Sequence, residues 1–458
     1  MRTVIARLSG VAAGLLLALG GTASAFAPDT SARPQARTLA LEQVADTAAT
    51  MPSGLAVTRS LRPVARTGTQ RAQTPVQATV QPHRANPAAF NRWVTDFRRR
   101  ALRQGIPAQV FDRAFAEAEY LAVVIERDRR QSEFTKQLWE YLDTAVSDSR
   151  VRNGRSNFRA QERTLRRIEA TYGVDAQVVA AIWGLESAYG TFRGDTNTIS
   201  AMATLAFDGR RKRFFEAQLM AALRILAAGD TDMRHMRGSW AGAMGHTQFM
   251  PDSFLSYAVD FTGDGRRDIW GDDPTDALAS TANYLRAHGW RRGQPWGMEV
   301  QLPRNFDYSQ TGERIKKSVA AWMAAGVRRI DGSAIPDHGR ASVLVPAGAQ
   351  GAAFLIFDNF HVIERYNPAD AYVIAVGHLG DRILGGGAIR AGWPRGDRAL
   401  SFDEKVELQR LLTEAGHPPG KIDGIIGPNT IEAVRRYQRG QGLIPDGYVS
   451  LDILRRLR

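Results

Sequence analysis

Cysteine is absent from this 458-residue chain. Its absence excludes disulfides, a thiol nucleophile, thiolate metal sites and a cysteine for lipid attachment. Long apolar runs are lacking as well. The run from Val11 to Leu19 is too short to cross a bilayer and no later stretch is longer, so no membrane span is expected. Acidic residues are in deficit, 47 against 60 Lys and Arg, which leaves a formal net charge of +13. That balance favours an anionic partner, which could be nucleic acid, a lipid surface or an acidic polymer.

What is present narrows the choice. The opening "MRTVIARLSGVAAGLLLALGGTASAFA" has Arg2 and Arg7, then the apolar run, then Ala23-Ser24-Ala25. These are the three parts of a cleavable signal peptide, residues 1–25. The mature chain is expected to be exported and soluble, not a lipoprotein. Nucleic acid then falls away as a partner and an anionic cell-envelope polymer rises. A hydrophobic fraction of 44% and a charged fraction of 23% suit a soluble chain of two or three domains.

Residues 26–88 are rich in Ala, Thr, Gln, Pro and Arg, poor in aromatics and without a period, and read as a disordered leader. Helical periodicity begins near Phe90. It recurs at Leu165–Tyr172, Val178–Tyr189, Phe214–Leu226, Ala277–Ala287 and Ala371–Leu384. Between Arg291 and Asp358 the pattern is mixed, with β-like pieces "ASVLVP" and "AAFLIFD". "GGGAIRAGWPRGDR" reads as a linker, with residues 391–400 taken as its bounds, and 401–458 form a compact closing unit.

One carboxylate stands out. In "AIWGLESAYG", Glu186 lies among apolar residues with no Lys or Arg beside it. On a helix Val178, Ile182, Leu185 and Tyr189 make one stripe, and Glu186 falls at its edge. Desolvation raises a carboxyl pKa, the condition a general acid needs near neutral pH. A core-edge Glu bonded to a backbone donor or a distant Arg is the plainer alternative. A second segment, "GSWAGAMGHTQFMPDSF", adds Ser239, His246 and Gln248, with Gly242 and Gly245 expected to let backbone approach a ligand closely. Neutral groups around an apolar cleft suit an N-acetylated sugar. Asp252 is the segment's one acid and, following Pro251, reads as a helix N-cap.

Together "GLESAYG", "SWAGAMGHTQFMP", "DFTGDGRRDIW", "ANYLRAHGW" and "RYNPADAY", with "DRRQSEF" and "RVRNG" upstream, resemble the B-type lytic murein transglycosylases in motif and order from Ala89 to Leu384. The resemblance implies a mainly α (α+β) fold: a lysozyme-like catalytic core over 89–390 with a small mixed β insertion. It implies that Glu186 is sole general acid and base on the MurNAc-GlcNAc β-1,4 bond of peptidoglycan glycan strands, leaving a 1,6-anhydromuramoyl product. Ordinary glycosidases use two carboxyls; here the nucleophile would be the substrate's own C6 hydroxyl. Family sugar-binding positions carry over to Ser239, Gln248, Tyr141, Tyr284, Tyr366, Tyr372 and Asn367. A hydrolytic muramidase and a non-catalytic peptidoglycan-binding scaffold are the alternatives. Other cell-wall enzymes are further partners that such a role allows.

"DFTGDGRRDIWGDDPTDA" opens like an EF-hand loop, with Asp260, Thr262 and Asp264 at alternating ligand positions, Gly265 for the turn and the Arg266 carbonyl next. The twelfth position is Gly271, so the usual closing Glu is missing. The family's closing ligand, by motif, is Asp276. All-oxygen donors favour a structural Ca²⁺, and no organic cofactor is expected. Finally, "LQRLL", "DGIIGPNTIEAVRRYQ" and "DGYVSLDILRRL" resemble a three-helix peptidoglycan-binding module, with a helix start at Gly427-Pro428 and a stripe of Ile431, Val434 and Tyr437.

Overall fold

The computed structural model describes residues 87–130 and 136–458. The expected signal peptide lies outside the described residues, as does the expected leader except for its last two positions, which already begin the helix Pro87–Arg103. Among the described residues no helix is long and apolar enough to cross a membrane.

The centre of the molecule is the helix Ala176–Ser187. Eleven of its twelve residues are buried. A helix apolar on all sides must be wrapped by others, and Asp148–Ala160, Glu162–Tyr172, Thr275–Ala287 and Asp370–Ile383 all pack on it. The periodic sequence segments become helices Glu162–Tyr172, Lys212–Ala228, Thr275–Ala287 and Asp370–Ile383. The central helix stops at Ser187, two residues short of the expected Tyr189. Ala188 and Tyr189 turn left-handed, at φ 49° and 60°, and Gly190 follows at 85°.

The mixed stretch forms a five-stranded antiparallel sheet, in the order Lys317–Ser318, Arg340–Leu344, Ala353–Ile356, Gly297–Gln301, Arg328–Arg329. The β-like pieces "ASVLVP" and "AAFLIFD" supply its middle. The sheet has its own core around Trp322, Val343, Leu355 and Phe357, and the Trp322 indole donates to the Ala341 carbonyl at 2.8 Å. The insertion separates Thr275–Ala287 from Asp358–Tyr366 and Asp370–Ile383, so the helical layer is completed only after the sheet.

Three helices, Phe402–Glu414, Pro428–Gly440 and Leu451–Leu457, close the chain around Leu408, Leu412, Val434, Tyr437 and Leu454. The second begins at Pro428 as the turn signal requires. Buried Gln409 knits the unit: its Oε1 accepts from Asp423 and Gly424 N–H, and its Nε2 donates to the Ile425 carbonyl.

Candidate active site

Glu186 sits in the last turn of the central helix and is only 3% exposed. The hydroxyl of Tyr372, on Asp370–Ile383, donates to its Oε1 at 2.7 Å. Tyr141, on Leu138–Ala145, is close enough to feel the same charge. Burial, then the Glu186 carboxylate, push its phenol pKa up, and Arg150 opposes them. A donor to the ionised form offsets part of the cost of burying a carboxylate.

The turn after Glu186 is held from several sides. Ser187 Oγ donates to the His246 carbonyl at 2.6 Å and accepts from Gly190 N–H at 2.8 Å. The Trp183 indole donates to His246 Nδ1 at 3.1 Å, while His246 Nε2 lies 2.7 Å from the Gly271 carbonyl. That pair of contacts fits one neutral tautomer, protonated on Nε2. Burial pulls the His246 pKa down, against the pull of the Gly271 carbonyl, with Arg193 adding to the lowering. Arg193 itself donates to the Trp270 and Gly271 carbonyls and pairs with Asp272. The segment 238–254 is therefore bolted to the end of the central helix.

Backbone strain gathers at the same place. Ala188, Tyr189 and Gln248 are the three non-glycine residues with positive φ among the described residues, and such strain persists where surrounding structure imposes it. The Tyr189 ring fits a slot that glycines leave open: a Cβ on Gly184 would come within 2.5 Å of it.

The other residues singled out from the sequence fall into two groups. Gln248 is buried, its amide nitrogen donating to Gly245 and Arg193 carbonyls. Ser239 is half-buried and its Oγ accepts from Ala243 N–H at 3.0 Å. Asn367 caps the end of Asp358–Tyr366 and accepts from Ala369 N–H. Tyr284 and Tyr366 lie deeper, each 1% exposed. Their hydroxyls donate to the Arg365 and Thr247 carbonyls, and their rings meet edge-on at 5.1 Å beside Phe249. These two tyrosines brace the wall behind the site in this structure.

Three expectations change. A Cβ on Gly242 or Gly245 would strike the Met202 side chain or the Ile269 carbonyl, so these glycines admit neighbouring protein rather than opening a path for ligand. Asp252 is not an N-cap: Met250 holds that position, and Asp252 accepts from Ser253 N–H inside the first turn. The stretch 391–400, expected as a linker, is held at both ends: Ala391, Trp393 and Arg395 meet Glu299, Trp139 and Asp143, while Asp397, Arg398 and Leu400 engage the closing module. Arg150 has no role in the sequence reading. Its guanidinium donates to the Gly184 carbonyl beneath Glu186, and its buried Nε has no partner. "RVRNG" marks the spot, but nothing in those residues reports which helix it faces.

The acidic loop folds as its spacing suggests. Carboxylate oxygens of Asp260, Asp264 and Asp276 lie within 4.8 Å of one another. Asp260 accepts from Gly263 and Gly265 N–H, and Thr262 Oγ1 donates to it. Buried Asp276 accepts from Phe261, Thr262 and Asp268 N–H. Burial, with Asp260 contributing, pushes its pKa up. Arg266 lies in the loop and donates its N–H to Asp264. Among the described residues no Lys or Arg pairs with the three carboxylates, so the donor set fits a hard divalent cation.

Residues 89–381 match the Transglycosylase SLT domain, and residues 403–457 match a putative peptidoglycan binding domain. The chain belongs to the B-type lytic transglycosylases and carries a C-terminal peptidoglycan-binding module. It is similar to SltB3 of Pseudomonas aeruginosa, solved in complex with NAG-anhNAM-pentapeptide and with NAG-NAM-pentapeptide. Identity is 50%, coverage 81% of this chain and 99% of that one, and the TM-score 0.79. Membrane-bound lytic murein transglycosylase B of Escherichia coli (strain K12) is 34% identical over 250 residues. The match covers 53% of this chain, which spans 66% of that relative's length. The Escherichia coli lytic transglycosylase Slt35, solved in complex with calcium, is 30% identical over 66% of this chain and 94% of that one, at a TM-score of 0.55.

Proposed function

We propose that this protein cleaves the β-1,4 bond between N-acetylmuramic acid and N-acetylglucosamine in peptidoglycan, forming a 1,6-anhydromuramoyl end, and that it does so in the periplasm. Glu186 first protonates the bridging oxygen. The same group, now a carboxylate, accepts the proton of the muramoyl C6 hydroxyl as that oxygen closes on C1. The observation that carries the reading is the buried Glu186 carboxyl with the Tyr372 hydroxyl 2.7 Å away. A fixed donor stabilises the carboxylate in the half-reaction where it must be ionised. Tyr372 reaches it by hydrogen bond, and Tyr141 lies close enough for the two groups to influence each other.

Ser239, Gln248, Asn367 and the tyrosines at 141, 284, 366 and 372 form the sugar-contacting and supporting wall in this reading. Asp260, Thr262, Asp264, Asp276 and the Arg266 carbonyl would hold Ca²⁺, whose part is to brace the loop that runs to Ile269 and Gly271 behind His246. The C-terminal module retains the enzyme on the wall and raises the local concentration of glycan. Mass spectrometry of digested sacculi tests the proposal. Anhydro-muropeptides are expected; reducing muramic ends would mean hydrolysis, equal clearing of sacculi by Glu186→Gln and the unaltered chain would overturn the assignment of Glu186, and no release by the unaltered chain would mean a scaffold.

A further inference from the structure

Helix Leu138–Ala145 is short, and a helix of this length has little stability alone. Its place is set by what holds it. On the inner side Leu142 and Ala145 are buried in the main core. On the outer side its partners come from the far end of the chain. The Trp139 and Trp393 rings lie 6.2 Å apart. Arg395 makes a two-point pair with Asp143, at 2.6 and 3.0 Å. The Gln137 amide, one turn before Tyr141, donates to the Tyr448 hydroxyl at 3.3 Å, and that hydroxyl donates to Asp397 at 2.9 Å.

These partners are themselves anchored. Glu299 on the sheet accepts from Arg390 and Ala391 N–H, which fixes the start of the segment. Asp446, two residues before Tyr448, accepts from Ala349 N–H at 2.8 Å, and Arg435 donates to Thr311 Oγ1 at 2.6 Å. The closing module thus rests on the sheet while its Tyr448 and residues 393–397 press on the helix that carries Tyr141.

Energy argues for position over stability. Both members of the Arg395–Asp143 pair are more than half exposed, and such pairs contribute little to folding. A two-point guanidinium–carboxylate contact nevertheless fixes orientation. We propose that Trp393, Arg395 and Tyr448 are positioning residues for glycan cleavage: they clamp Leu138–Ala145 so that Tyr141 meets the sugar beside Glu186. The module then serves the chemistry of each turnover as well as attachment to the wall. This rests on the reading of Glu186 and Tyr141 given above.

The test uses the full-length chain on soluble, uncross-linked glycan strands, where wall attachment plays no part. Arg395→Ala and Trp393→Ala should lower kcat about tenfold, since small misplacements are costly in positioned reactions. KM and retention on sacculi should stay within about twofold, as expected when only orientation is lost. The exchange Asp143→Arg with Arg395→Asp should recover most of the lost kcat, which a general loss of fold would not allow. Unchanged kcat in Arg395→Ala, or no recovery in the exchange, overturns the clamp. Glu186→Gln run alongside separates the two readings. If it is inactive while the clamp variants match the unaltered chain, only the clamp fails; if it is active, the catalytic reading fails.

Discussion

Tyr372 donates a hydrogen bond to Glu186 across a sequence separation of 186, hydroxyl to Oε1 at 2.7 Å. Both partners are buried, at 3% exposure each, so water cannot replace the phenol when it is removed. Tyr372→Phe should therefore lower kcat on soluble glycan by about tenfold, the size expected when a buried charged acceptor loses a donor. Initial rates decide it; a rate equal to that of the unaltered chain would take the hydroxyl out of the mechanism.

The left-handed turn after Glu186 predicts opposite effects at neighbouring positions. Ala188 has φ 49°, so Ala188→Gly should relieve strain and stabilise by up to about 1 kcal/mol. Gly190 has φ 85°, and a Cβ there would come within 2.5 Å of the His246 ring. Gly190→Ala should cost about 2 kcal/mol or more. Denaturant melts of the two variants should bracket the unaltered chain, and a Gly190→Ala midpoint that does not move would contradict the packing described.

Chelator should lower the melting temperature if the three-Asp loop holds calcium. At a free ion concentration about 100 times Kd the stabilisation is about 2.7 kcal/mol. Asp264→Ala should melt at one temperature with or without chelator. A calcium-insensitive melting curve for the unaltered chain would argue against the ion.

Acid should destabilise the fold through buried histidines. Burial, then Arg382, pull His378 down from 6.5 to about 4, and His246 is shifted the same way. The unfolded chain takes up these protons first, so stability is intact above pH 6.5 and is lost as pH falls from there toward about 4. For His378 the loss is up to about 3 kcal/mol. His378→Gln should flatten the stability curve in that window; an unchanged slope would show that the imidazole titrates normally.

Much of this was legible in sequence because it is local. The acid among apolar residues, the Asp-x-Thr-x-Asp-Gly loop, the β-like pieces and the turn at Gly427-Pro428 each signal through near neighbours. What stayed hidden depends on distant partners. Tyr284, Tyr366 and Tyr372 look alike as letters, yet two donate to backbone carbonyls and one to Glu186. Arg150 and His246 gained meaning only from Gly184, Trp183 and Gly271. The Gly- and Pro-rich run "GGGAIRAGWPRGDR" reads as a linker, but Trp393 and Arg395 within it have partners some 250 residues earlier, which no local pattern reports.

The insertion of a whole sheet between Thr275–Ala287 and Asp370–Ile383 has a consequence for timing. A polypeptide delivered amino end first offers Glu186 long before Tyr372, and the Trp393–Arg395 stretch later still. Contacts so distant in sequence close late in folding. In the reading proposed above, a half-delivered chain lacks Tyr372 and the Trp393–Arg395 stretch, so its cleavage centre stays incomplete while synthesis is under way.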